Sequence, residues 1–405
     1  MRVSRRKDVE MNCLQNFRAG LKKCAPESVF AAALLFAVIL IGIAWLLFGP
    51  KEYFSEDENR VLQSPPKLTL SSLRDGSFMD DAEDFVGDHF MFREALVSMN
   101  TRLQLLAGKR DLASDYSVTP AEGGVYFGGG GHIYEVLLPD KTGTFAANAS
   151  ALDYFAEKTG LPLCIMPVPS GSQEQPGNLP YSAPSHDQRE ELNLLKQTLG
   201  EDARVIDVFD ALSEKTGSDY YFRTDHHWTT YGAYVGYSAL ADAMGFSCVP
   251  QSDFRYEMIA APFYGTLYSK AMLFDQQPDE FVLPYYKGSA DLTWQVGTEV
   301  GQGIYQTEYL SKKDKYSVYL GGNPAVCVVR NSRAKGGKLL LLKDSFANSM
   351  IPYLSVNFSE IHMIDLRYYN QDIYKYIQQN GIDQAAAVYS IEQLCDVSIA
   401  NKLNR

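Results

Sequence analysis

Gly337-Lys338-Leu339-Leu340-Leu341-Leu342-Lys343-Asp344-Ser345-Phe346-Ala347-Asn348-Ser349 is the stretch on which the reading of the fold turns. Four consecutive leucines, bounded by glycine on one side and a charged turn on the other, read as a strand apolar on both faces. Such strands sit inside parallel sheets. In open α/β sheets ligands bind at the carboxyl edge of the strands, and Asp344-Ser345 falls on that edge. A serine opening the next helix has backbone N–H groups ready for an oxyanion. Ser345 is therefore the candidate nucleophile, with Asp344 beside it as a candidate binding residue.

A nucleophilic serine needs a base, and the chain holds only six histidines. Two stand together in Tyr220-Tyr221-Phe222-Arg223-Thr224-Asp225-His226-His227-Trp228-Thr229-Thr230-Tyr231-Gly232-Ala233-Tyr234, after an aspartate and before a tryptophan. By itself the run also reads as a helix cap with a buried aromatic. Asp225 or Thr229 would cap a helix whose apolar positions Tyr234, Tyr237, Leu240 and Met244 recur at helical spacing. Taken with Ser345, it supplies a base and an orienting carboxylate, the division of labour in a Ser-His-Asp hydrolase or acyltransferase.

These two elements carry a resemblance. Asp225-His226-His227-Trp228 followed about a hundred residues later by Ser345-Phe346 resembles the bacterial DHHW protein family and, more distantly, the alginate O-acetyltransferase AlgX/AlgJ group with its SGNH-hydrolase-like domain. The order is permuted relative to ordinary SGNH hydrolases, where the serine comes first. The resemblance runs from about Glu56 to the end. It implies His227 as base, Asp225 as its partner and Ser345 as nucleophile. One position departs from the SGNH pattern: Lys343 stands where a glycine usually precedes Asp-Ser.

Working outward, Ala146–Lys158 reads as helix, Leu163–Val168 as strand, Gln188–Leu199 as helix and Arg204–Val208 as strand. Strands alternating with helices imply βαβ units and a parallel sheet. Residues 252–322 are aromatic and polar, with short runs such as Phe281-Val282-Leu283 and Leu292-Thr293-Trp294, and read as a β-rich insertion. The sheet resumes at Ala325–Val329, then at the leucine strand, Ile361–Ile364 and Ala385–Tyr389. The expectation is a three-layer α/β/α, SGNH-hydrolase-like domain over residues 78–405.

Four more residues are candidates for the oxyanion or the substrate. Arg367 and Tyr368 leave the carboxyl edge of a strand. Arg367 offers donors there, or a salt bridge to Asp365 or Asp344. Trp228 belongs to the motif. Tyr268 lies in Tyr264–Lys270, a loop that the resemblance places over the cleft.

Arg2, Arg5, Arg6, Lys7, Arg18, Lys22 and Lys23 outnumber Asp8, Glu10 and Glu27 within residues 1–28. Val29–Phe48 carries no charge and is long enough to cross a core of about 30 Å as a helix. The basic flank keeps residues 1–28 cytoplasmic, and no Ala-x-Ala signal follows, so an uncleaved anchor over 29–48 is expected, then a linker over 49–77. The main domain is then extracytoplasmic. Removing the seven basic and three acidic residues of the first 28 from totals of 37 and 49 leaves 30 against 46, a net charge near −16. That surface attracts neither nucleic acid nor an anionic membrane face.

Cys164, Cys248, Cys327 and Cys395 have no close spacing, so neither a zinc knuckle nor a dense disulfide framework is expected. Phe78–Leu106 reads as one amphipathic helix, in which His89 is a packing or salt-bridging residue. Gly128–Gly131, flanked by 123–127 and 132–134, is a hairpin turn rather than a phosphate cradle. Asp225, His226 and His227 as metal ligands would need adjacent side chains that an extended segment sends opposite ways. No metal and no cofactor is expected.

Function is expected to follow the resemblance: a membrane-anchored O-acetyltransferase or acetylesterase with an acetyl-serine intermediate, acting on an envelope or secreted polysaccharide. An extracytoplasmic site excludes acetyl-CoA as direct donor, and the resemblance implies a membrane-bound O-acyltransferase that delivers the acetyl group. A non-catalytic carbohydrate-binding or scaffold protein of such a system is the other reading, kept open by Lys343.

Overall fold

The computed structural model describes residues 26–49, 53–55, 58, 60–112, 124–181, 183–213 and 220–404. The basic segment over 1–25 and most of the acidic stretch 56–59 lie outside them. The chain divides into two compact units, Met1–Glu56 with Arg60–Val97, and Asp57–Asn59 with Ser98–Arg405.

In the first unit, α1 (Pro26–Phe48) covers the uncharged run, and its described apolar side chains are mostly exposed. The side chains of Pro26, Val29 and Leu46 are not among those described. Over the described residues no helix is long and apolar enough to cross a membrane. The single helix expected over 78–106 is two helices, α2 (Ser77–Asp88) and α3 (Arg93–Leu106). The break falls at His89–Phe92, where Phe92 takes a left-handed φ of 60°, a conformation that a helix cannot continue through. The His89 ring packs on Phe85 at 4.3 Å, tilted by 33°, and its Nδ1 lies 3.0 Å from the Phe85 carbonyl.

The second unit is a mixed α/β fold around one eight-stranded sheet. In chain order its main elements include the hairpin β1 (Val125–Phe127) and β2 (Ile133–Glu135), α4 (Thr144–Thr159), β3 (Leu163–Val168), α5 (Gly171–Glu174), α6 (Arg189–Thr198) and β4 (Ala203–Val205). Next come α7 (Thr230–Met244), β5 (Phe254–Phe263), α8 (Thr266–Ala271), β6 (Asp279–Tyr286), β7 (Leu292–Val296) and β8 (Glu299–Gln302). The last are β9 (Val326–Asn331), β10 (Gly336–Lys343), α9 (Ile351–Asn357), β11 (Phe358–Ile364), α10 (Ile373–Asn380), β12 (Gln384–Ser390) and α11 (Ile391–Asp396).

The sheet order is β8-β7-β9-β11-β10-β12-β3-β4. β10 is central and parallel to β11 and β12, as β12 is to β3 and β3 to β4. Its leucines explain why. Leu339 and Leu341 face one cluster with Tyr237 of α7 and Leu354 of α9, while Leu340 and Leu342 face another with Phe155 of α4, Leu195 of α6 and Ile377 of α10. All four are fully buried, which at about 1.5–3 kcal/mol per side chain makes this strand the anchor of both layers.

Two expectations need correction. The sheet is not wholly parallel: β9 runs antiparallel to β11, β7 to β9 and β8 to β7. Nor is 252–322 one insertion. β5 and β6 pair only with each other, whereas β7 and β8 extend the central sheet. Short antiparallel edge strands alternate polar and apolar residues whether they join a sheet or stand apart, so periodicity alone does not separate the two cases.

Candidate active site

The Asp225–Trp228 element is a pinched loop. Tyr221 and Trp228 form an antiparallel bridge, Thr229 N–H donates to the Tyr220 carbonyl at 2.7 Å, and α7 starts at the N-cap Thr229. Trp228 is fully buried, and its Nε1–H reaches the Phe346 carbonyl (3.0 Å) and Ser349 Oγ (2.9 Å). The tryptophan therefore clamps this loop to the turn that follows β10. Asp279 of β6 fixes the near side: its carboxylate accepts from Arg223 N (2.8 Å), Thr224 N (2.8 Å) and Thr224 Oγ1 (2.5 Å).

Between these clamps Asp225 is nearly inaccessible. Its Oδ1 accepts from His227 N (3.0 Å) and His227 Nδ1 (2.6 Å), and its Oδ2 from Thr266 N (2.9 Å) and Thr266 Oγ1 (3.2 Å). Gly265 makes this approach possible: a Cβ there would lie 2.2 Å from both Asp225 Cβ and Oδ2. Burial alone would raise the Asp225 carboxyl, but the imidazoles of His227 and His226 and these donors hold it well below its ordinary value. An ionised Asp225 makes His227 Nδ1 the donor and leaves Nε2 as a base. Nε2 lies 2.7 Å from Ser345 Oγ.

Ser345 opens a 3-10 turn, Ser345–Met350, so its N–H has no preceding helical carbonyl to bond. Asp344 builds the turn. Its Oδ1 accepts from Phe346 N (2.9 Å), while Oδ2 accepts from Ser390 N (2.6 Å) and Ser390 Oγ (2.8 Å) at the end of β12. Asp344 thus has a structural post here. Tyr316, which the sequence reading did not single out, stacks on His227 at 3.9 Å and 7° and donates its hydroxyl to the Ser345 carbonyl at 3.0 Å. Thr266 and Asp279 also went unnoticed. All three fall in the aromatic, aperiodic part of the chain, where no spacing marks them.

The other predicted residues lie elsewhere. Arg367 forks onto Asp365 (2.9 and 2.6 Å) and reaches Gln393 Oε1 (2.7 Å), so the salt bridge, not a free donor, is what the structure contains. Tyr368 is exposed, with the Arg367 guanidinium 5.3 Å from its ring. Tyr264–Lys270 is not a loop: it runs into α8, and Tyr268 packs with Val125, Ile133 and Ala271. Its backbone N–H donates to the Thr224 carbonyl at 2.9 Å, which is its link to the site.

Lys343 does not disturb the serine turn. Its φ is not left-handed, and its buried Nζ donates to Asn323 Oδ1 at 2.7 Å and lies 3.8 Å from Asp365. Burial, only partly offset by Asp365, brings its ammonium down to about 8. His226 and His227 do not diverge as an extended segment would send them: the loop brings their ring centroids to 3.9 Å, tilted by 36°. The ligand atoms of Asp225, His226 and His227 lie within 4.8 Å of one another. A cation there would have to displace the hydrogen bonds to Asp225, Ser345 and Thr266 (His226 Nδ1 to Oγ1, 2.6 Å).

Among solved structures the chain is similar to a DHHW family protein from Eubacterium siraeum, at 23% identity and a TM-score of 0.61, covering 71% of this chain and 96% of that one. It is similar also to PatB1 of Bacillus cereus, at 23% identity and a TM-score of 0.58, covering 67% and 97%. PatB1 with a sulfonyl adduct gives 23%, 0.56, 66% and 94%. At these identities the likeness speaks for the fold. No curated protein matches the chain. The model of the DHHW protein family matches residues 180–364. The resemblance to that family therefore holds over the stretch that contains Asp225, His227 and Ser345.

Proposed function

We propose that this chain transfers acetyl groups through Ser345, as a polysaccharide O-acetyltransferase or, with water as acceptor, an acetylesterase. The observation that carries the reading is the Asp225–His227–Ser345 hydrogen-bonded chain, 2.6 and 2.7 Å long in its two links. In the first step His227 Nε2 takes the Ser345 proton as Oγ bonds the acetyl carbon. The donor's leaving group departs with that proton. In the second step an acceptor hydroxyl gives its proton to Nε2, its oxygen bonds the acetyl carbon, and the Ser345 Oγ–carbon bond breaks as Oγ takes that proton back from Nε2. The Ser345 N–H faces the developing oxyanion, and Asp225 stabilises the imidazolium.

The acetyl group and the polysaccharide come from the family resemblance. So do the three-layer SGNH-hydrolase-like description and a membrane-bound O-acyltransferase as supplier. Anchoring by α1 with the main unit extracytoplasmic is part of the same proposal. Its support is the uncharged run after a basic segment.

The test is acetate release from p-nitrophenyl acetate by the full chain in detergent, against Ser345→Ala and His227→Ala. Release lost in both variants is the expected result. Equal release in all three removes the nucleophile and leaves the non-catalytic scaffold reading.

A further inference from the structure

Glu135, the last residue of β2, stands in the wall between two spaces. It lines a narrow cleft with Ser170, Ser172, Asp225 and His226, and also a cavity of about 320 Å³ with Glu392, Lys270 and Thr144. That volume is at the low end for ligand sites, of order 300 Å³ and upward, and suits a single hexose ring. Glu392 stands two residues after Ser390, which holds Asp344 beside Ser345. Glu135 and Glu392 both lie outside the family match at 180–364.

The polar groups of this cavity are not equally available. Asp140 accepts from Thr142, Gly143 and Phe145 N–H groups, and Glu191 is paired with His186 at 2.7 Å. Glu135 and Glu392 hydrogen-bond to each other, with Lys270 Nζ 3.8 Å from Glu135 Oε1. Two carboxyl groups in contact hold one proton between them. Burial and then the Glu135 charge push Glu392 well up. Against its own burial, Glu135 is held below its ordinary value by that hydrogen bond, His226 and Lys270. Within this group one carboxylate stands beside one neutral acid and the Lys270 side chain, while Asp140, Lys141, Glu191 and Asp396 line the rest of the cavity. The group offers both donors and acceptors.

His226 connects this group to the nucleophile. Thr266 Oγ1 has one hydrogen, directed to Asp225 Oδ2, so it accepts from His226 Nδ1–H. His226 Nε2 then carries a lone pair, in the residue that lines the cleft with Glu135.

We propose that the Glu135–Glu392–Lys270 cavity is the acceptor subsite and takes a neutral hexose unit by paired hydroxyls, with His226 Nε2 accepting from a hydroxyl next to the one that gives its proton to His227 Nε2. The proposal rests on the acyl-transfer reading of Ser345. A carboxylate accepts two neighbouring O–H groups at once, and the neutral acid and Lys270 donate to sugar oxygens. A uronate would meet Glu135, and an amino sugar would meet Lys270.

The experiment supplies p-nitrophenyl acetate to the full chain in the presence of methyl glucoside, methyl mannoside, methyl galactoside or methyl glucuronide, and reads acetylated glycoside over free acetate by mass spectrometry. We expect a neutral glycoside to be acetylated, and the ratio to fall at least tenfold in Glu135→Gln and Glu392→Ala. Thr144→Trp, which fills the cavity without touching the carboxyl pair, is expected to lower it likewise. Ratios unchanged in all three variants overturn the proposal. So does acetate release with no neutral glycoside acetylated, or a preference for the glucuronide. Failure of the parent reading looks different: wild type then releases acetate no faster than Ser345→Ala.

Discussion

His227 Nε2 and Ser345 Oγ, 118 residues apart in the chain, lie 2.7 Å from each other because Trp228 Nε1–H bonds the Phe346 carbonyl and locks one loop to the other. If that contact is the proton path, Ser345→Ala and His227→Ala each lower ester hydrolysis by roughly 10³-fold or more, and Asp225→Asn by a comparable factor through the wrong imidazole tautomer. The double variant Ser345→Ala/His227→Ala is expected to be no worse than either single one, since the groups act as a unit. Additive losses in kcat/KM would separate the two residues functionally.

Gly265 admits no side chain, because its Cβ would overlap Asp225. Gly265→Ala is expected to displace the Asp225 carboxylate and tilt His227, lowering kcat by about 10²-fold, the cost of a misplacement near 1 Å. Substrate binding away from the carboxylate should be spared, so KM changes far less. A variant with normal kcat would show that the Asp225 position does not limit turnover.

Trp228→Phe keeps the ring packing but removes the donor shared by the Phe346 carbonyl and Ser349 Oγ. The Phe346 carbonyl keeps the Ser349 hydroxyl as donor at 3.2 Å, so the loss is that of a buried hydrogen bond rather than of an orphaned carbonyl, about 0.5–1.5 kcal/mol. Urea unfolding should show a loss of that size, together with a fall in kcat as the Ser345 turn loosens. Lost stability with intact kcat would make Trp228 a packing residue only.

The central strand and the Ser345 turn were legible because four buried leucines admit one arrangement, and the base was legible because two of six histidines follow an aspartate. What escaped was whatever depends on contacts distant in sequence. Asp279 and Tyr316 hold the Asp225 and His227 loop from 54 and 89 residues away, and neither sits in a periodic run. Arg367 was legible only as a choice between a free donor and a salt bridge to Asp365 or Asp344, and the structure takes the Asp365 fork. The antiparallel half of the sheet escaped because β7 and β8, the outermost two strands at that end, hold no fully buried residue, and their composition matches that of a hairpin standing apart.

Glu174, at the end of α5, is 3% exposed, and its Oε1 has no hydrogen-bond partner among the described residues. Burial pushes its carboxyl from 4.5 up to about 8. The folded chain therefore keeps a proton between pH 4.5 and about 8 that the unfolded chain has released. The stability this gives is full below pH 4.5 and is lost as the pH rises through about 8. Glu174→Gln mimics the protonated acid and does not titrate. Relative to wild type it should gain stability from pH 5 to pH 8, by up to about 1.4 kcal/mol per pH unit and a few kcal/mol in all. Urea unfolding of both proteins at pH 5, 6.5 and 8 reads this directly. Curves that stay parallel over that range would mean that Glu174 is ionised in the fold and has a partner.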